Sequence, residues 1–481
     1  MLVRTHQERL DRSVNSTPPN STQSTRRDFL RQGALASSLL MTGCQTKISG
    51  SADVDLLGFK ASTGGQKVRM AVVGIGGRGK NVINSLIDSE LVDWVCAAEV
   101  DPENKHCADS RALLGDIPIY HDFRDMLDRH ANEIDAVAIA TPDFAHFPVA
   151  MACMRAGKHV YVEKPLAHTF QEVELLIAEA ARTGVVTQMG NQGHSGANYF
   201  QFKAWKEAGV IKNITRIDAH MNSPRRWHGW EVPGFDKGTP IPPGMDWDVW
   251  HVGRPMHPFS ERLHPGNWRS WFSYGSGAFG DWAPHILDTC HRFLELGLPS
   301  KIEAVKRDGP NDFIFPQAST IRFSFPARGA EPPCVITWYD GVDNLPPVPS
   351  EESPDFKMQR NGKYIYGEDT VFRGGTHSAT LRVIPADRMR AMAPTLPKFS
   401  QKNSDHFKNF ALACLGKETA RSPFAISGPL SQVFILGIIA QRLGGTFHFD
   451  RTTKRFINHP LANDLLTAPP ARAGWEDIYR A

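Results

Sequence analysis

A chain of 481 residues is too long for one ordinary hydrophobic core and long enough for two domains. Its 41% hydrophobic and 22% charged residues are those of a globular protein. Its 54 basic and 51 acidic residues nearly balance, leaving no basic stripe of the kind that grips a phosphate backbone, which argues against nucleic acid as a partner.

The first feature in chain order is TRRDFLRQGALASSLLMTGC, residues 25–44. Arg26, Arg27 and Arg31 precede an apolar run from Gly33 to Gly43, the layout of a secretory leader rather than of an amphipathic surface helix. The Thr-Arg-Arg-Asp-Phe-Leu order resembles the twin-arginine export signal, so residues 1–44 are expected to be an address that sends the protein to the periplasm. Met41-Thr42-Gly43-Cys44 resembles a lipoprotein processing site, which leaves two outcomes: a lipid on Cys44 as the sole membrane contact, or a cysteine discarded with the leader. Residues 45–65, rich in Ser, Gly and Thr, read as a linker.

A nucleotide-binding pattern follows, with expected bounds 66–190. VRMAVV, residues 68–73, is a buried-strand run, and Gly74-Ile75-Gly76-Gly77-Arg78-Gly79 then opens a helical pattern. Glycines there allow a tight turn and close approach of backbone N–H groups to a pyrophosphate at a helix N-terminus. A second apolar run places Glu99 where an acid accepts hydrogen bonds from the adenosine ribose, favouring NAD; nearby Arg78 keeps NADP as an alternative. Strand-like runs ending at Thr141-Pro142 and at Glu163-Lys164-Pro165 alternate with helical spacers, which predicts a doubly wound parallel sheet with its ligands at the carboxyl ends of the strands. No apolar run in the body of the chain stands out as approaching the roughly 20 residues of a membrane span.

Residues 191–481 are the expected substrate domain. Asn191 and His194 follow the strand VVTQMG and are placed at the cleft as substrate residues. Seven of the eleven tryptophans fall between residues 227 and 282, mostly as W-x-x-W pairs; packing is one use for them, and contact with sugar C–H faces the other, with Trp227 and His228 as candidates and Arg225, Arg226, Asp246 and Asp248 as holders of hydroxyls. Asp281 and His285 are four apart, so they share a face if the segment from Asp281 is helical, although Pro284 fits only a first helical turn. His285, Asp288 and His291 continue at three-residue steps; hydrogen bonding accounts for them better than a metal, and no metal is expected. Six cysteines in the body of the chain lack zinc spacing and read as buried small hydrophobes.

The GIGGRG loop, Glu99, ATPDFAH (140–146), EKP (163–165) and GDWAPH (280–285) together resemble the Gfo/Idh/MocA family of glucose-fructose oxidoreductase and inositol dehydrogenase. The resemblance implies an α/β architecture: an N-terminal Rossmann domain, then an α/β domain with an open, mostly antiparallel sheet often used in oligomer contacts. It implies Lys164, Asp281 and His285 as the acid/base set, a cis peptide before Pro165, and Gly74, Gly76, Gly77, Arg78, Gly79, Glu99, Thr141, Pro142, His146, Glu163 and Lys164 around the cofactor. Three activities fit: an NAD-dependent oxidoreductase of a sugar or polyol, a glycoside-cleaving enzyme that uses NAD transiently, and a non-catalytic sugar-binding protein on the same fold.

Overall fold

The computed structural model describes residues 66–224, 226 and 228–480. The leader, the linker and Cys44 lie outside the described residues, as do Arg225 and Trp227.

The first sheet is six-stranded and wholly parallel, in the order β3-β2-β1-β4-β5-β6. Its strands are β1 (Val68–Val73), β2 (Val92–Ala98), β3 (Ile119–Tyr120), β4 (Ala136–Ile139), β5 (His159–Val162) and β6 (Thr187–Met189). β4 and β5 are buried on both faces, which is why they read as mainly apolar runs rather than alternating ones. The strand order reverses between β1 and β4, so the crevice at their carboxyl ends is the expected ligand position. Glu99, Thr141 and Glu163 lie just past β2, β4 and β5.

The second sheet has nine strands: β7 (Arg216–Met221), β8 (Lys301–Asp308), β9 (Ala318–Phe325), β10 (Cys334–Asp340), β11 (Asn361–Tyr366), β12 (Val371–Gly374), β13 (Arg382–Ile384), β14 (Gly445–Asp450) and β15 (Arg455–Phe456). Its order is β13-β12-β11-β7-β10-β9-β8-β14-β15, antiparallel throughout except for the β7/β10 pair.

One helix joins the two sheets. Phe424–Leu443 is 20 residues long with mean hydropathy 1.6 over its most apolar stretch, which corrects the expectation that no apolar run approaches membrane length. Ser427, Ser431 and Gln432 interrupt the run in the sequence and hid it. Most of that stretch, 78%, is buried inside the fold, so it is a core helix. Its glycines set two close approaches. A Cβ on Gly428 would lie 2.6 Å from Ile177 of the helix Phe170–Thr183, and one on Gly437 would lie 2.4 Å from Phe279 and 2.6 Å from Phe323 of β9. The helix His406–Cys414 packs Phe407, Phe410 and Cys414 into the same apolar cluster as Val68, Val82 and Tyr161 of the nucleotide half. All six described cysteines are free and buried, as their scattered spacing implied.

Candidate active site

The glycine loop is built by steric necessity at two positions. Gly74 has φ +84°, a left-handed conformation that glycine adopts without strain, and a Cβ there would lie 2.9 Å from the Ala140 carbonyl. A Cβ on Gly79 would lie 2.1 Å from the Gly74 carbonyl oxygen, so only glycine lets the helix Gly77–Asp88 start directly against β1. On the outer side nothing lies within 4 Å of a Cβ at Gly77, so the helix N-terminus faces open space. Glu99 is fixed beside it: Oε2 accepts from the Ile75 N–H at 2.9 Å and Oε1 from the Asp101 N–H at 3.1 Å. Each oxygen keeps a lone pair for a ribose hydroxyl.

These groups line a cavity of about 250 Å³ that also takes in Thr141, Pro142 and, from the substrate half, His264 and Arg269. The Thr141 hydroxyl is buried with no hydrogen-bond partner among the described residues. A glycine cradle, an open helix N-terminus, a held carboxylate and an unpaired hydroxyl fit a dinucleotide, with Gly74–Gly79 for the pyrophosphate and Glu99 for the adenosine ribose. His264 closes the rim from the other half, its Nε2 2.9 Å from Asp101 Oδ2.

Arg78 departs from its expected use. Its Nη2 lies 2.7 Å from Glu163 Oε1 and its Nε donates to the same oxygen at 2.9 Å, so the cation is directed to the end of β5 and away from the ribose acid. A buried carboxylate needs a counter-charge, and Arg78 supplies it. Gly190 leaves room for this carboxylate, since a Cβ there would lie 2.7 Å from Glu163 Oε1. His146 lies between the two strand-end loops, its Nδ1 2.7 Å from the Pro165 carbonyl and its Nε2 3.0 Å from the Thr141 carbonyl. The Lys164–Pro165 peptide is cis.

The charged centre follows at once. Lys164 Nζ donates to Asp281 Oδ1 at 2.6 Å and to the Asp281 carbonyl at 3.1 Å, and Arg226 Nη2 donates to Asp281 Oδ2 at 2.5 Å. Burial alone would raise the Asp281 carboxyl, but Lys164, Arg226 and Arg269 hold it well below the usual carboxylate range. Arg226 is thus not the free hydroxyl ligand expected from its position. His285 is nearly buried, and burial together with the Lys164 charge pushes it well below the usual histidine range, leaving a neutral ring. Its Nδ1 is buried with no hydrogen-bond partner among the described residues.

Asp281 and His285 lie on one helix, Gly277–Ile286, as their spacing predicted. Pro284 is not in its first turn, however, because the helix begins earlier, at Gly277. A proline that far in offers no N–H to the ladder, and the helix breaks at Leu287 before Asp288–Phe293 resumes. Beyond the break, Asp288 Oδ1 pairs with His194 Nδ1 at 2.6 Å and His291 Nε2 meets the Gly297 carbonyl at 3.0 Å.

The substrate residues divide. His194 is buried in its pair with Asp288, and Asn191 Oδ1 accepts from the Ser422 hydroxyl at 2.7 Å. His228 is exposed and stacks on Trp230, with ring centroids 4.3 Å apart. Trp247, Trp250, Trp268 and Trp271 are buried in the core, and Trp250 and Trp268 also line the cavity. Asp246 caps a helical turn through the Val249 N–H, and Asp248 pairs with Arg472 at 2.6 Å. One residue near the centre has no sequence signal. His377, in the loop after β12, stacks on His285 with centroids 4.1 Å apart and 15° between the planes.

Comparison with known proteins agrees with the first sheet. Residues 68–191 match the GFO_IDH_MocA model, described as an oxidoreductase family with an NAD-binding Rossmann fold. They form a Rossmann-like parallel sheet similar to the NAD-binding domain of that family. Among curated proteins, glycosyl hydrolase family 109 protein 2 of Shewanella sp. (strain ANA-3) is 32% identical over 161 residues, 31% of this chain and 33% of the relative. Inositol 2-dehydrogenase 1 of Saccharopolyspora erythraea is 30% identical over 163 residues, 34% of this chain and 48% of the relative. The chain thus spans about a third to a half of these relatives. In fold, the likeness extends past the Gfo/Idh/MocA segment. The WlbA dehydrogenase of Bordetella pertussis, solved with NADH and UDP-GlcNAcA, superposes with TM-score 0.52 at 17% identity, covering 78% of this chain and 96% of that one. The aldose-aldose oxidoreductase of Caulobacter crescentus superposes with TM-score 0.51 at 14% identity, covering 80% and 100%.

Proposed function

We propose that this chain is an NAD-dependent oxidoreductase that removes hydride from a hydroxyl-bearing carbon of a sugar or polyol. The observation that carries the reading is the Lys164–Asp281–Arg226 cluster beside a neutral His285, set at the carboxyl end of β5 next to the dinucleotide cradle. NAD, when bound, supplies the hydride acceptor. Lys164, with two donor directions fixed by Asp281, keeps its third N–H for the substrate oxygen. The neutral imidazole of His285 takes the hydroxyl proton, and Asp281 keeps the lysine in place throughout.

A second reading is glycoside cleavage, in which a transiently oxidised sugar loses its leaving group by elimination and is then restored. The 32% likeness to a glycosyl hydrolase family 109 protein supports it. In both readings the cofactor stays bound. The twin-arginine leader supports this, because a protein exported to the periplasm already folded has reason to carry its dinucleotide along and no evident pool to exchange it with.

Mass spectrometry of nucleotide released from the purified mature protein, followed by sugar and glycoside panels, tests the proposal. Bound NAD with an oxidised sugar or net NADH supports the first reading, and bound NAD with an unmodified sugar freed from a glycoside supports the second. A protein that binds sugars and turns none over refutes both.

A further inference from the structure

The loop Gly374–Ser378 carries no part of the proposed chemistry, yet it is held at the charged centre from three sides. From the helix Gly277–Ile286, the His285 carbonyl accepts the His377 N–H at 2.9 Å and the Thr376 hydroxyl at 3.4 Å. From below, Lys363 of β11, itself buried, donates to the Gly375 carbonyl at 3.3 Å. From the third side, the Asn198 N–H at the start of the helix Ala197–Glu207 donates to the Ser378 carbonyl at 3.2 Å, and a Cβ on Gly193, in the segment after β6, would lie 2.9 Å from the His377 carbonyl oxygen. These contacts hold His377 at φ +52°, a left-handed backbone that a non-glycine residue adopts only at a steric cost. The fold supports that cost and places one imidazole flat on another, 4.1 Å apart, with Trp282 edge-on to the His377 ring at 6.0 Å.

The tautomer of His377 follows from its neighbour. The Thr376 hydroxyl gives its hydrogen to the His285 carbonyl, so its oxygen accepts from His377 Nδ1 at 3.0 Å. The His377 ring is thereby oriented by the backbone of the residue whose side chain it covers.

We propose that His377 is a positioning residue for His285, fixing the plane of its ring by stacking and keeping that ring neutral for proton acceptance. A proton on either imidazole disfavours one on the other. Lys164 and Arg78, which face both rings, act in the same direction, and Asp281 opposes them at His285. The inference rests on the oxidoreductase reading for its purpose, and its first test needs no substrate.

The probe is the ¹³Cε1–Hε1 resonance of His285 in the full mature protein, assigned by its loss in His285→Ala, and followed in His377→Phe and His377→Ala. Phe keeps a flat ring and removes the charge; Ala removes both. At pH 7 the resonance is expected to be single and sharp in wild type and His377→Phe, and broadened or doubled in His377→Ala. On acidification His285 is expected to take its proton roughly one pH unit higher in His377→Phe than in wild type. The acid limb of sugar turnover should move by the same amount. A His285 resonance at pH 7 that is the same in folded His377→Ala as in wild type overturns the proposal. So does one broadened alike in His377→Phe and His377→Ala. Altered resonances in a protein that turns over no sugar or glycoside keep the positioning role and refute the oxidoreductase reading.

Discussion

Lys164 is held by two atoms of one residue, and that residue is also bound by Arg226, so both cations depend on a single carboxylate. Asp281→Asn would leave two cations facing each other in a largely buried site; a loss of about 3 kcal/mol of stability is expected, read as a fall in Tm or denaturation midpoint. His285→Ala and Lys164→Ala should each lower kcat about 10²- to 10⁴-fold while dinucleotide affinity, measured by fluorescence titration, changes little. An equal loss of NAD binding would place these residues in cofactor binding rather than proton transfer. Glu99, Thr141 and Lys164 were legible in the sequence because each sits just past a strand, where position along the chain and position in the site coincide. Arg226 and His377 were not, because tertiary closure brings them to the centre and neither stands at a recognisable spacing from Asp281 or His285. The ion pair of Arg78 was not legible for a related reason. Its place in the glycine loop is local, but the direction of its long side chain is decided by the buried carboxylate of Glu163 across the sheet.

The helix Phe424–Leu443 does for the active site what no loop does. Its Gly437 lets it press against Phe279, which lies on the same helix as Asp281 and His285. Gly437→Leu would force Phe279 and Phe323 to move, at a cost of about 1–3 kcal/mol. The expected result is a lower Tm together with a lower kcat, because the helix that carries Asp281 and His285 must move with Phe279; a lower Tm with unchanged kcat would show that the two are independent. The parallel sheet was readable from its buried runs and the glycine loop, and the helix carrying Asp281 and His285 from their four-residue spacing. The long core helix was not, because its serines and glutamine resemble a polar break when only the sequence is read. They are satisfied inside: Ser431, for example, accepts from the Leu166 N–H at 3.2 Å. The start of the helix Gly277–Ile286 was missed because Pro284 suggested an N-terminus, whereas the glycines at 277 and 280 allow the chain to coil ahead of it against Phe315 and Ser276.

Taken as a whole, the molecule buries an unusual set of neutral imidazoles. Burial pushes His159, His251, His291 and His406 down to about 4 and His168 to about 3. In the unfolded chain each would take a proton near pH 6.5, so between about pH 6.5 and 4 the unfolded state binds more protons than the folded one. Stability is therefore fully present above about pH 6.5 and falls as the pH drops toward 4. Thermal unfolding across that range should show a steadily falling Tm and proton uptake on unfolding; a flat profile would mean that these rings reach water. The proposed function makes one central claim, that this chain keeps its dinucleotide bound beside a sugar-oxidising centre. Mass spectrometry of the nucleotide content of the purified mature protein tests that claim most directly. The account predicts close to one NAD per chain, retained through dialysis and reduced in place when an oxidisable sugar is added; a protein that purifies without nucleotide and releases free NADH at each turnover would contradict it.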